Sequence, residues 1–226
     1  MTSWTIVVPI KGLARAKTRL WPLGTPTRET LARAFARDTL AAALAAETVG
    51  RVIAVGRAEE LTDLDSRVEI VRESESGLDA AIALGVTHAR TLSLEPVAVM
   101  LGDLPALEAP HLMSALRSAE EYPRAFVADV HGTGTTLVTA NAGQRFEHCF
   151  GPYSARRHRA ARFADLVATS PASIRPELRT DADTLRDLGV AMRMGVGLHT
   201  AAAVASWGRD LERRMIVAGG IDPRCA

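Results

Sequence analysis

Residues 4–20 read WTIVVPIKGLARAKTRL. The run from Trp4 to Ile10 is apolar and rich in β-branched side chains, which reads as a buried strand. It ends around Pro9 and Lys11 and releases a loop with four cations in nine positions, Lys11, Arg15, Lys17 and Arg19. Such side chains neutralise a polyphosphate, and Arg does so with a planar two-pronged donor. Gly12 and the small Ala14 and Ala16 let the backbone come close to a ligand. The loop matches neither G-x-x-x-x-G-K-[ST] nor G-x-G-x-x-G. A solvated basic loop is the plain alternative. The place of this loop at the carboxyl end of a strand favours phosphate binding, because open α/β sheets bind ligands there.

Outward from this strand the chain keeps alternating. Further strands are expected at Arg51–Val55, Val68–Val71, Pro96–Leu101, Ala125–Val130 and Thr135–Ala140. Helices are expected at Arg28–Glu47, Leu78–Leu92, Pro110–Ala119, Ser154–Phe163 and Asp181–Leu188, the last closed by Gly189. Strands alternating with helices imply an α/β fold with a mostly parallel sheet covered on both faces. The neighbouring strands at Ala125–Ala140 suggest a hairpin and hence an antiparallel part. From Leu198 the chain reads as helical through Met215 and then turns Gly/Pro-rich, as an arm or a contact to a partner. The expected division is a domain over 1–204 and a C-terminal helical extension over 205–226.

The 226 residues suit one such domain. Charge is nearly balanced, with 27 Lys+Arg against 26 Asp+Glu, which argues against a nucleic-acid or membrane surface. Any anion site is therefore a local cluster. Cys149 and Cys225 show no C-x-x-C spacing, so neither a disulfide framework nor a zinc site is expected. No signal peptide and no membrane span are visible, which makes the cytoplasm the expected location. A homodimer is left open.

Asp103 sits at the carboxyl edge of the apolar run Val97–Leu101, in Gly102-Asp103-Leu104-Pro105. A nucleotide triphosphate travels with a hard divalent cation that wants carboxylate oxygens, so Asp103 is a candidate ligand, with a capped turn as the alternative. Thr180-Asp181-Ala182-Asp183-Thr184 offers two more acids. Thr180 with Asp183 also resembles a capping box, and the two roles can coexist. On the other side, His131-Gly132-Thr133-Gly134-Thr135-Thr136 is a glycine–threonine turn, and Phe150-Gly151-Pro152-Tyr153-Ser154 opens a helix with Ser154 as the expected N-cap. Together with Arg156, Arg157 and His158 these suggest a second anion pocket. His158 reads as a surface or packing residue rather than a general base.

Taken in order, these blocks resemble the 2-phospho-L-lactate guanylyltransferase family, also described as phosphoenolpyruvate guanylyltransferases, of coenzyme F420 biosynthesis. The matching pieces are Val8-Pro9-Ile10-Lys11, Ala16-Lys17-Thr18-Arg19-Leu20, Ser76-Gly77-Leu78, Gly102–Pro105, Gly132–Leu137, Phe150–Ser154 and Thr180–Leu185. The resemblance implies a Rossmann-like, glycosyltransferase-A-like nucleotidyltransferase domain with a mixed sheet. It implies transfer of GMP from GTP to the phosphate of a small phosphorylated carboxylic acid, with release of pyrophosphate. Phosphoenolpyruvate, 2-phospholactate and 3-phosphoglycerate all remain open as acceptors. Carried over by motif, Asp103 with Asp181 or Asp183 would hold Mg2+, and Thr136, Gly151 and Ser154 would grip the acceptor. Pro9, Lys11, Lys17, Arg19 and Gly77 would face GTP, with Lys17, Arg19 and Asp103 as the catalytic bets. Where the family has Asn after Gly-Leu, this chain carries Asp79, the remaining nucleotide candidate. Two rivals stand beside this reading: a nucleotidyltransferase for a sugar phosphate or a molybdenum cofactor, and a nucleotide-binding protein without catalysis.

Overall fold

The structure is a computed structural model and describes residues 3–10, 24–73 and 77–219. Lys11, Arg15, Lys17 and Arg19 of the basic loop, and Ser76, lie outside the described residues. Seven strands form one sheet: β1 (Trp4–Pro9), β2 (Val49–Gly56), β3 (Glu69–Arg72), β4 (Val97–Met100), β5 (Arg124–Ala128), β6 (Thr135–Ala140) and β7 (Ala164–Asp165). Their order is β3-β2-β1-β4-β6-β5-β7. Neighbours run parallel except around β6, which is antiparallel to both β4 and β5. The expected mixed sheet is therefore present, and its antiparallel part is the single reversed strand β6.

All six residues of β1 are buried, as a central strand covered on both faces requires. Alternation sends Ile6 and Val8 to one face and Val7 to the other. On the first face they meet Ala36, Leu40 and Ala43 of α1 (Thr25–Ala45) and Leu112, Ala115 and Leu116 of α3 (Ala109–Ala119). On the second face Val7 and Val99 meet Ala81 and Ile82 of α2 (Leu78–Leu92) and Ala155 of α4 (Ser154–Ala160). α2 lies close to the sheet because Gly85 has no side chain. A Cβ there would stand 2.5 Å from Val7 Cγ1 and 2.7 Å from Val55 Cγ2. After β7 come the short α5 (Leu166–Thr169), α6 (Leu185–Met194) and α7 (Leu198–Gly219).

Three local expectations are corrected. The helix expected at Asp181–Leu188 is α6, which starts at Leu185, runs through Gly189 and ends at Met194, with Gly195 at φ 97° as its C-cap. Its capping box is Thr184 with Asp187, not Thr180 with Asp183. Ser154 is the first residue of α4 rather than its N-cap; that position is Tyr153, at φ 55°.

α7 crosses residue 204 without a break, and Ala203, Val204 and Trp207 pack on a cluster of Leu31, Phe35, Ala182 and Leu188. Its first turn is capped from afar by buried Asp38 of α1, whose carboxylate accepts from the amides of His199 at 3.0 Å and Thr200 at 2.8 Å. No helix among the described residues is long and apolar enough to cross a membrane.

Candidate active site

β1 and β4 are parallel neighbours, with Val7 beside Val99, and the strands that follow them are added in opposite directions along the sheet, β2 and β3 beyond β1, β5 and β6 beyond β4. That reversal opens a crevice at their carboxyl ends. Pro9 closes β1 there and is buried. Ile10, the last described residue before the basic loop, lies at the same end, and Gly102-Asp103 departs from β4. A Cβ on Gly102 would lie 3.2 Å from Val8 Cγ1, so the two strand exits run close together.

Asp103, Asp181 and Asp183 are distant in sequence, yet each offers a carboxylate oxygen, all within 4.8 Å of one another. It is the one such acidic or metal-ligating group found among the described residues. The backbone explains it. The Ala182 amide donates to the Asp103 carbonyl at 3.0 Å, which lays residues 181–183 along the loop after β4. The Ala182 side chain is fully buried against Leu31, Phe35 and Leu188. With the residue between them directed into this cluster, Asp181 and Asp183 are left half-buried together with Asp103. The Asp103 loop is itself pinned: the Leu104 amide donates to Thr39 Oγ1 at 3.1 Å, and the Gly197 amide to the Pro105 carbonyl at 2.9 Å.

Arg179 anchors the arm that carries the last two acids. Its Nε donates to the Ala128 carbonyl at 3.0 Å and its Nη2 to the Asp129 carbonyl at 2.7 Å. The Val130 amide returns a bond to the Arg179 carbonyl at 2.9 Å. Asp129 in turn shapes the glycine–threonine turn. Its carboxylate accepts from the amides of Thr133 at 2.9 Å and Gly134 at 2.7 Å. Sequence reasoning missed both residues. A signal for Asp129 exists, since an Asp ahead of Gly-Thr-Gly suits a side chain folding back on a turn. Arg179 bonds carbonyls about fifty positions away and leaves no local pattern.

β6 leads the chain back to the β4 exit. The Leu101 amide donates to the Thr136 carbonyl at 3.0 Å, so Thr136 lies beside the strand end that precedes Asp103. Its side chain is 1% exposed, and Oγ1 finds no hydrogen-bond partner among the described residues. Ser154 is also buried, and α4 abuts the turn through the Ala155 amide on the Thr133 carbonyl at 3.2 Å. Gly151 adopts φ 107°, a conformation that other residues reach only under strain. The structure thus brings Thr136, Gly151 and Ser154 to one end of the sheet, beside β6 and the start of α4.

His158 is fully buried, stacked on Phe126 at 5.1 Å between ring centres. Burial pushes its pKa down to about 4, against a backbone hydrogen bond with Ser154 that opposes the fall, so the ring is neutral near pH 7. It is a packing residue, as expected, with hydrogen bonds the sequence did not disclose. Gly77, expected to face the nucleotide, precedes α2 at φ 138°, and Asp79 lies in the first turn with its side chain 83% exposed. An Asp79 oxygen stands 4.0 Å from His148 Nδ1, on the loop leading to Phe150. Burial lowers the His148 pKa while the Asp79 charge works against that. The turn before α2 and the loop before α4 therefore face each other.

The family model described as "Guanylyl transferase CofC like" matches residues 4–213. A protein of Streptomyces scabiei named phosphoenolpyruvate guanylyltransferase is 44% identical over 213 residues, covering 89% of this chain and 96% of that protein. One of the same name from Streptomyces coelicolor is 42% identical over 222 residues, covering 96% and 99%. Among solved structures, a nucleotide-diphospho-sugar transferase of Desulfovibrio desulfuricans aligns with a TM-score of 0.57 at 15% identity, over 86% of this chain and 97% of that one. A nucleotidyl transferase of Methanothermobacter aligns at 0.54 and 19%, over 85% and 97%. These two share the fold.

Proposed function

The chain belongs to the CofC-like guanylyl transferase family, and from that premise we propose that it transfers GMP from GTP to the phosphate of a small phospho-acid at the crevice between β1 and β4. Phosphoenolpyruvate is the first acceptor to test, because the relatives carry it in their names. A place in coenzyme F420 biosynthesis and a cytoplasmic setting follow the same reading. The observation that carries the site assignment is the convergence of Asp103, Asp181 and Asp183.

Three carboxylates of this spacing suit a hard divalent ion such as Mg2+, which prefers carboxylate and phosphate oxygens. Asp103, Asp181 and Asp183 would hold it, and it would supply charge neutralisation at the α-phosphate. Lys11, Lys17 and Arg19 follow β1 and would neutralise the rest of the triphosphate, with Pro9, Gly77 and Asp79 nearer the nucleoside. Thr136, Gly151 and Ser154 would hold the acceptor. A phosphate oxygen of the acceptor attacks the α-phosphorus, a new phosphoanhydride forms, and the bond to pyrophosphate breaks. The attacking oxygen is already anionic at neutral pH, so no side chain needs to remove a proton, and the neutral, buried His158 is consistent with that. Catalysis then consists of alignment and charge placement.

Pyrophosphate release tests this reading. The expected result is release that requires GTP, a divalent ion and a phospho-acid together. Release with hexose phosphate in place of the phospho-acid, and none with any phospho-acid, would move the chain to a different acceptor class.

A further inference from the structure

We propose that His158 is a positioning residue for the acceptor: its buried imidazole ties the start of β6 to the loop before α4 and so sets the spacing of Thr136, Gly151 and Ser154. This rests on the reading that these three residues grip the phospho-acid.

The hydrogen bonds define the ring. The Cys149 amide donates to His158 Nε2 at 2.8 Å, so that nitrogen carries no proton. The proton is on Nδ1, which faces Thr135 Oγ1 at 3.1 Å and donates to it. Thr135 is the residue before Thr136, and Cys149 stands two before Gly151. Ser154 opens the same helix one turn earlier. Thr136 and Gly151 therefore lie within two positions of a His158 contact, and Ser154 shares its helix. The ring cannot drift: it stacks on Phe126 at 5.1 Å and 22°, meets Phe163 edge-on at 5.1 Å and Phe150 at 5.9 Å. Arg157, its neighbour, donates to the Phe150 carbonyl and braces the same loop. Burial requires a partner for each ring nitrogen, and here the two partners come from different segments of one pocket, the start of β6 and the loop before α4. His158 contacts no reacting atom in this account; it acts through Thr136, Gly151 and Ser154.

The test separates binding of acceptor from binding of donor. His158→Phe keeps the stacking and removes the ring's hydrogen bonds. Its KM for phosphoenolpyruvate is expected to rise about tenfold, while its KM for GTP stays within about twofold. Thr135→Val removes one hydrogen bond at nearly constant volume and should raise the acceptor KM in the same selective way, which keeps the test open if His158→Phe folds poorly. Ser154→Ala reports on the underlying reading. If Ser154→Ala raises the acceptor KM but His158→Phe and Thr135→Val do not, the role of His158 is wrong and the pocket stands. If none of the three moves it, the acceptor pocket is misplaced and the proposal falls with it. A parallel rise of both KM values in His158→Phe and Thr135→Val marks general loosening and also overturns the proposal.

Discussion

Asp103→Asn exchanges one carboxylate oxygen of the acid group for an amide without changing its size. With metal-held phosphate as the site of charge build-up, kcat should fall about a hundredfold or more. The circular dichroism melt should stay near that of the parent, because the backbone ties at Ala182 and Leu104 do not use the Asp103 side chain. Full activity in that variant would remove Asp103 from the reaction. His158 carries the second prediction at this scale. Its folded pKa, about 4, lies below the ordinary value of 6.5, chiefly through desolvation, with the nearby charges of His148 and Arg157 adding to the fall. The unfolded chain therefore binds the proton more readily between those values. The stability it contributes is fully present above pH 6.5 and is lost as pH falls toward 4, at most about 3 kcal/mol. Urea melts at pH 7 and pH 5 should show that loss, and His158→Phe should flatten it. Asp103 is legible from sequence because an acid after a buried strand is a local pattern. Arg179 and the Thr135–His158–Cys149 connection are not, since their partners meet only in the folded chain.

At the scale of elements, the arm from Arg179 to Thr184 decides the geometry. Two Thr-x-x-Asp pairs follow one another there, Thr180 with Asp183 and Thr184 with Asp187, and sequence spacing cannot rank them. Packing ranks them: Ala182 must reach the Leu31–Phe35 cluster, and Thr180 Oγ1 is used on the Pro176 carbonyl at 3.0 Å, so the cap falls on Thr184. This releases Asp181 and Asp183 from the helix. Arg179→Met should loosen the arm from β5. The predicted outcome is an Mn2+ affinity, read by electron paramagnetic resonance, lowered about tenfold or more, with the sheet core intact. Unchanged Mn2+ binding would show that the arm holds its place without Arg179. Thr184→Ala should cost about 1 kcal/mol in a denaturant melt through the lost capping box. Strands and the longer helices were readable because their apolar period is strong, as at α2, expected and found at Leu78–Leu92. The start of α4 was misjudged by one residue because a left-handed Tyr153 is not a pattern that sequence announces.

Across the whole molecule, the sheet order places the carboxyl ends of β1 and β4 and the start of β6 at one end of the sheet, and α7 packs on the cluster that holds Ala182 beside it. The α/β class and the parallel majority follow from the alternation of strands and helices; the strand order does not, because it depends on which crossovers the helices can cover. Asp38 couples the C-terminal helix to α1, and Gly197 leaves room for it, since a Cβ there would lie 2.4 Å from Asp38 Oδ1. Asp38→Ala should lower Tm by a few degrees, about 2–4 °C per kcal/mol for a chain of this size. An unchanged Tm would mean that the α7 cap contributes nothing. Mass spectrometry of the products follows the proposed reaction itself. With GTP, Mg2+ and phosphoenolpyruvate, the expected product is a new species equal in mass to the acid plus GTP less pyrophosphate, formed one-for-one with pyrophosphate and absent with Asp103→Asn. Intact GTP and no conjugate with phosphoenolpyruvate, 2-phospholactate or 3-phosphoglycerate would contradict it.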